Sequence, residues 1–283
     1  MTLSVTLKNS NAPSNAPVAG RVVHTDNMQV LVRANNPINF FDLSDAERTL
    51  TKVNDATLIT TNGIVANGDG GVNVVGLSEH LYNNFTLSGV FATETNTASA
   101  SAVAQWLGGN YNGTGLGMGL FVRETVFVTS TLTIRAAFYY RTAAGTVGSQ
   151  FVDLVIGTDL AARPAMPYHY VAMTQTSNTD GSATLTLYVP SFSATPVVAT
   201  VVPGDDKRFY ASSRQLNFGG SFPSMQIAAV PLSSALDNTA HKARVKEFRF
   251  DSAALTAQQI NDQYQQTKKW LQSDGVVNVS GWL

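Results

Sequence analysis

The sequence predicts an all-β protein: a two-sheet antiparallel sandwich with one C-terminal amphipathic helix and an extended N-terminal arm. Three observations carry this reading. Apolar residues alternate with polar or small ones at period two, which puts one face of a strand in a core and the other outside. Such segments recur roughly every 10 to 25 residues from Phe85 onward, a spacing that suits a sandwich. The chain has 30 threonines against 7 lysines, a bias toward strand over helix. No strand–helix–strand alternation is present, which argues against doubly wound and TIM-barrel architectures.

Residues 1–20 read as an arm. Val5-Thr6-Leu7 is followed by a stretch in which Asn-Ala-Pro occurs twice, ending at Pro13 and Pro17. Proline removes a donor and biases its predecessor toward extended backbone. The arm is either a frayed tail or a strap onto a neighbouring subunit, and the sequence leaves both open. Residues 21–84 read as strands that pack on or complete the sandwich. Val22-Val23 and Val30-Leu31-Val32 are apolar runs, and Ser44-x-x-Glu47 has the form of a capping box that can start one helical turn. Asn62-Gly63 and Asn67-Gly68 are hairpin signals, because both residue types tolerate positive φ.

Residues 85–283 read as the sandwich itself. Phe85 to Phe91 is one run. Leu116, Met118, Leu120 and Val122 alternate with Gly115, Gly117, Gly119 and Phe121, and Leu132 to Tyr140 alternates in the same way. Tyr168 to Thr176, Ala183 to Val189, Val197 to Val202, Gln215 to Phe218, Met225 to Ala229 and Ala243 to Phe250 follow, with Ser177 to Gly181 as a hairpin loop. The helix is expected at about 256–272. Thr256-x-x-Gln259 is a capping box, and Leu255 with Ile260 forms a hydrophobic staple. Ile260, Tyr264, Thr267 and Leu271 then recur at helical spacing. Lys268 and Lys269 are expected in the last turns, where cations suit the negative helix end. The tail from Gly275 to Leu283 either adds a strand or docks through Trp282.

Composition narrows the function. The chain has 283 residues, net charge -1 and no cysteine. Disulfides, a thiol nucleophile and Cys-ligated metal sites are excluded. The four histidines (His24, His80, His169, His241) form no short metal pair. A near-neutral surface argues against nucleic acid as partner, since phosphate neutralisation needs a basic face. The first residues lack a secretory signal pattern, and no apolar run reaches the length of a membrane helix. Neither a cofactor nor a metal is expected.

The strand Val245 to Asp251, followed by Ala254-Leu255-Thr256-Ala257-Gln258-Gln259-Ile260, resembles the closing signature of laminin-G-like, concanavalin A-like jelly-roll domains. The pair Tyr168 to Thr174 and Ala183 to Val189 resembles the same domains' central hairpin, and Gln215 to Gly220 their strand end in Gly-Gly. The resemblance covers about 85–272 and implies a jelly-roll topology. It does not choose among the lectins, hydrolases and structural modules built on this fold. The cysteine-free style, rich in Asn, Thr, Ala and Gly, with a proline-spaced arm, resembles bacteriophage virion proteins that carry such a domain. Members that hold calcium place Asp and Asn at a sandwich edge. Asp69, Asp205 and Asp206 are the candidates here, and each also reads as an exposed turn residue.

A glycan hydrolase on this fold needs two carboxylates about 5 to 5.5 Å apart for retention. The nearest approach is Glu247 and Asp251, on one strand face at i and i+4, without a third carboxylate. A binding reading rests on Trp106 to Gly115, where Trp106, Asn110, Tyr111 and Asn112 combine rings with amides, the means of holding a neutral sugar. The alternative is a core tryptophan followed by a wide turn. The bare face at Gly115, Gly117 and Gly119 allows close approach of another chain. Three readings result. The leading one is a non-enzymatic virion structural protein, either capsid decoration or a tail or fibre component. It assembles through its arm and sandwich faces with other virion proteins and as a homo-oligomer, a trimer included. It is expected in the virion after synthesis in the host cytoplasm. The second is a receptor- or glycan-binding, lectin-like module for a host-surface glycan. The third is a glycan hydrolase.

Overall fold

The computed structural model describes residues 26–34, 41–52, 55, 57–67, 70–75, 77, 84–94, 102–109, 117–126, 130–141, 147–160, 165–180, 182–201, 216–218 and 242–283. The arm at 1–20 and the expected strand at Met225 to Ala229 lie outside these. The described strands are β1 (Met28–Arg33), β2 (Thr49–Lys52), β3 (Thr57–Thr60), β4 (Gly63–Asn67), β5 (Val72–Val75), β6 (Phe85–Thr93), β7 (Ala102–Gly109) and β8 (Gly117–Val126). They continue with β9 (Ser130–Arg141), β10 (Val147–Leu160), β11 (His169–Ser177), β12 (Ala183–Tyr188), β13 (Val197–Val201), β14 (Leu216–Phe218) and β15 (Lys242–Asp251), and the helix is α1 (Ala257–Asp274).

The strands form two antiparallel sheets, as the sequence predicts. Sheet one runs β13-β12-β11-β6-β15-β4-β3, with β1 also on β15; sheet two runs β10-β9-β8-β7-β14-β5-β2. Strands from residues 28–75 enter both sheets. The main core lies between the sheets and takes the alternate residues that period two selects, such as Leu132, Ile134, Ala136 and Phe138 of β9 and Val171 and Met173 of β11. A second apolar layer lies on the outer side of sheet one. There Ile260, Tyr264, Trp270 and Leu271 of α1, with Val277, Val279 and Trp282 of the tail, cover Val90, Tyr170 and Ala172. Strands β6 and β15 are therefore buried on both faces, which hides their alternation.

The helix begins as the sequence implies. Thr256 caps it and forms the reciprocal box with Gln259, and Leu255 and Ile260 are both buried beneath it. It ends two residues later than expected, at a left-handed Gly275 whose N–H donates to Leu271 O. The last turn holds no basic residue. Lys268 serves the tail instead, donating from Nζ to Trp282 O and Leu283 O at 2.9 Å each. The tail adds no strand; it docks through Trp282, whose Nε1–H donates to Tyr168 O at 3.0 Å.

The Asn62-Gly63 hairpin forms between β3 and β4, with Thr61-Asn62 at the tip and Gly63 at φ 118° just past it. A Cβ on Gly63 would sit 2.6 Å from Val245 O, so the close approach of β15 also demands glycine. The Ser44–Glu47 segment is a turn rather than a helix start. Glu47 N donates to Ser44 O, and the Ser44 hydroxyl accepts from Ala46 N at 3.3 Å while lying 2.7 Å from Asp42 Oδ2, with no helical turn following. Asp42 organises this loop by accepting from the backbone N–H groups of Leu31, Ser44 and Arg48.

Candidate functional site

Glu247 and Asp251 share a face of β15, as their spacing implies, but that face lies against α1. Both are buried. Glu247 accepts from Arg33 Nε at 2.7 Å and from Thr267 Oγ1 at 2.6 Å. Asp251 accepts from Arg249 Nε at 2.7 Å and Nη2 at 2.9 Å. Gln263 of α1 closes the layer: with its oxygen turned to Arg249 it accepts from that guanidinium, and its NH2 donates to Tyr170 Oη at 3.1 Å. Burial disfavours the charge on Arg249, yet the hydrogen bond and charge of Asp251 outweigh it and its pKa is raised. Burial also drives the Tyr170 phenol well above its usual value. The void beside Arg33, Glu247 and Arg249 is about 10 Å³, room for one water and not for a sugar ring. Paired and sealed in this way, the two carboxylates seat α1 and do not reach a substrate.

Trp106 lies within β7, not in a loop, and is buried on the outer face of sheet two. Its ring centroid is 4.9 Å from that of Phe121 on β8. At Gly119 the bare face is filled from within the chain: a Cβ there would fall 1.9 Å from Trp106 Cζ3, while Gly115 lies outside the described residues. Asn110, Tyr111 and Asn112 lie outside the described residues, as do Asp69, Asp205 and Asp206.

Beyond Trp106 the same outer face continues over β8, β9 and β10. Register aligns Trp106 with Phe121, Phe121 with Arg135, and Arg135 with Asp153. Arg135 donates from Nε to Asp153 Oδ1 at 2.7 Å and from Nη2 to Oδ2. Its guanidinium carbon lies 4.4 Å from the centre of the Phe151 ring, whose edge-on neighbour is Tyr139 at 5.9 Å. Phe151 is 37% exposed and Val155 46%. Strand β10 carries these groups and was not expected from the sequence. Its signal is the apolar trio Val152, Leu154 and Ile156 at period two, masked by Phe151 and Val155 on the opposite face.

His169 is the one described histidine, 3.1 Å from Ser191 Oγ through Nδ1 and edge-on to Phe192. Burial lowers its pKa to about 4, so the ring is neutral at pH 7. Ser191 Oγ is held by Tyr170 N at 3.0 Å and is buried, so the pair serves packing. Among the described residues no group of His, Asp and Glu is placed to hold a metal ion, and no helix is long and apolar enough to cross a membrane.

No family model and no curated protein matches the chain. Solved structures of similar fold include the receptor binding domain of botulinum neurotoxin D, at 15% identity and TM-score 0.55 over 86% of this chain and 53% of that one. The botulinum neurotoxin type G receptor binding domain matches at 11% identity and TM-score 0.53, over 84% of this chain and 51% of that one. The binding domain of Paraclostridial Mosquitocidal Protein 1 matches at 13% identity and TM-score 0.53, over 86% of this chain and 53% of that one. The chain spans about half the length of each. At these identities the likeness shows the fold: a jelly-roll-like β-sandwich.

Proposed function

We propose that this chain is a non-enzymatic binding and assembly module, a jelly roll that presents one open sheet face to a surface partner as part of a bacteriophage virion. The observation that carries the binding reading is the outward row of β10, where an exposed ring stands beside an exposed ion pair. Sheet one is sealed along β6 and β15 by α1 and the tail, and its carboxylates are consumed in ion pairs. Sheet two leaves Phe151, Asp153 and Val155 exposed on a hydrogen-bonded ladder. The structural neighbours named as receptor-binding domains support a binding role on this architecture. The virion setting rests on the cysteine-free, Asn- and Thr-rich composition and the proline-spaced arm. A receptor- or glycan-binding role on the same particle is the second reading, favoured by the aromatic face.

The test has two measurements. Light scattering of the purified chain with and without residues 1–20 reports assembly: a trimer that survives truncation supports a fibre or attachment module, and a monomer supports a decoration subunit that orders on its partner. Incubation with bacterial surface polysaccharides reports chemistry: retention without new reducing ends is expected, and release of oligosaccharide overturns the non-enzymatic reading.

A further inference from the structure

We propose that the outer face of β9 and β10 is a subsite for a neutral saccharide, with the Phe151 ring as platform and the Arg135–Asp153 pair as the clamp for its hydroxyls. This rests on the binding reading above and gives it a place and a ligand class.

Three observations meet at this spot. The first is an aromatic ring that is both exposed and fixed. Phe151 is 37% exposed, yet the Arg135 guanidinium lies 4.4 Å from its centre and Tyr139 meets it edge-on. A ring held in this way loses little freedom when a sugar's C–H face stacks on it. The second is a paired donor and acceptor beside the ring. Asp153, whose side chain is 36% exposed, accepts two bonds from Arg135, and a carboxylate offers about four acceptor positions. Arg135 uses Nε and Nη2 in this pair, which leaves donors on Nη1. Adjacent hydroxyls on a sugar act as donor and acceptor together, which is what such a pair can satisfy.

The third observation is charge. The pair sums to zero, so a phosphate or carboxylate gains no net attraction here, and an uncharged ligand loses none. Phe151, Asp153 and Val155 point the same way along β10. At about 3.3 Å of rise per residue they span about 13 Å, enough for a short oligosaccharide. Trp106 belongs to this face as a positioning residue. It lies against Phe121, and Phe121 lies 6.0 Å from the Arg135 guanidinium.

The experiment is an array of neutral gluco-, manno-, galacto- and N-acetylhexosamine oligomers with sialylated and sulfated controls, read with the full chain. Titration of the best neutral oligomer then follows. Phe151→Leu, which keeps apolar bulk without the ring, is expected to weaken binding about 3- to 10-fold. Asp153→Asn is expected to weaken it about 10-fold by removing the charged acceptor. Val198→Ala, on the exposed outer face of sheet one, is expected to leave it unchanged. Unaltered thermal melts of each variant show that the fold is kept. If the wild-type chain binds a neutral oligomer and both β10 variants bind it equally well, this subsite is wrong while the binding reading stands. If the array retains acidic glycans alone, the ligand class is wrong. If it retains nothing, the glycan-binding reading falls with the subsite.

Discussion

Gly119→Ala tests the claim that the glycine ladder of β8 exists to let an indole lie on the strand. The backbone of Gly119 is not in the left-handed region, so alanine is conformationally allowed there. The obstacle is space: the new Cβ would lie 1.9 Å from Trp106 Cζ3, 2.7 Å from Cη2 and 3.0 Å from Cε3. The ring cannot simply step aside, because it is 1% exposed and packs on Phe121. Overpacking of this kind costs about 1–3 kcal/mol, and the ceiling is the roughly 3–5 kcal/mol lost when a buried tryptophan is removed altogether. Replacing a strand glycine returns about 0.5–1 kcal/mol of backbone entropy. A net loss of about 2 kcal/mol is expected. In a Trp106→Leu background the obstructing ring is gone, so Gly119→Ala becomes neutral or mildly stabilising, and the two changes couple by about 2–3 kcal/mol. Urea unfolding at 25 °C with an unchanged m-value provides the measurement. A Gly119→Ala protein within about 0.5 kcal/mol of wild type, or the same cost in both backgrounds, would refute the reasoning.

Other expectations follow from the seat of α1 and from His169. Glu247→Ala leaves Arg33 and Thr267 without their acceptor in a buried layer and is expected to cost about 3–5 kcal/mol, read by denaturant unfolding, with saccharide binding at β10 unaffected. Thr256→Ala removes one half of the capping box and is expected to cost about 1 kcal/mol on the same assay. His169 is held neutral, with its pKa lowered from 6.5 to about 4. Its contribution is fully present above pH 6.5 and is lost as pH falls through 4, because the unfolded chain takes up the proton first. The loss amounts to about 3 kcal/mol, and between pH 6.5 and 4 the wild-type stability should fall more steeply with falling pH than that of His169→Asn, which lacks this titration. Equal slopes between pH 6.5 and 4 in both proteins would show that burial does not hold the ring neutral.

What the sequence made legible depended on how many faces of a strand are buried. Strand β9 has one face in the core, and its alternation is plain from Leu132 to Phe138. The helix was legible from local chemistry, since Thr256, Gln259, Leu255 and Ile260 act within one turn. Strand β10 was not, because Phe151 and Val155 are apolar on the solvent side and blur the period. That blur is what makes the strand a candidate site. Trp106 opens a run that reads either as a binding loop or as a core tryptophan followed by a wide turn; in the structure it is buried within β7, and Gly108 and Gly109 continue the strand by pairing with Leu120 and Gly119. The fates of Glu247 and Asp251 were illegible for a different reason. Glu247 pairs with Arg33, 214 residues away in sequence, a range that no local pattern reports. Asp251 pairs with Arg249 only two residues away, but the helix that covers their face is not part of that local pattern.

The departure of β15 from strict alternation shows how such distant pairings arise. Val245 pairs with Phe91 and Glu247 with Val90, so Lys246 is an extra residue without a partner on β6. Core-facing Val245 and Phe248 are thereby three apart, and both Lys246 and Glu247 face α1. The bulge falls where the other edge of β15 changes hands, from β4 at 242–245 to β1 at 247–251. At that junction Lys246 O accepts from Ala34 N, and Lys246 Nζ donates to Thr61 O at the β3–β4 tip. Nζ also lies 2.8 Å from Asp274 Oδ2, a charge contact without hydrogen-bond geometry, and 5.7 Å from the Trp270 ring. One buried cation thus ties β15, the hairpin tip and the end of α1 together. Lys246→Met keeps the stem and the backbone bond to Ala34 but loses the side-chain ties to Thr61 O and Asp274. It is expected to cost about 3 kcal/mol if the junction depends on the charge, and to loosen the 61–62 turn and the last turn of α1 together in amide exchange. Protection that falls at one of these sites alone would show that they are held independently.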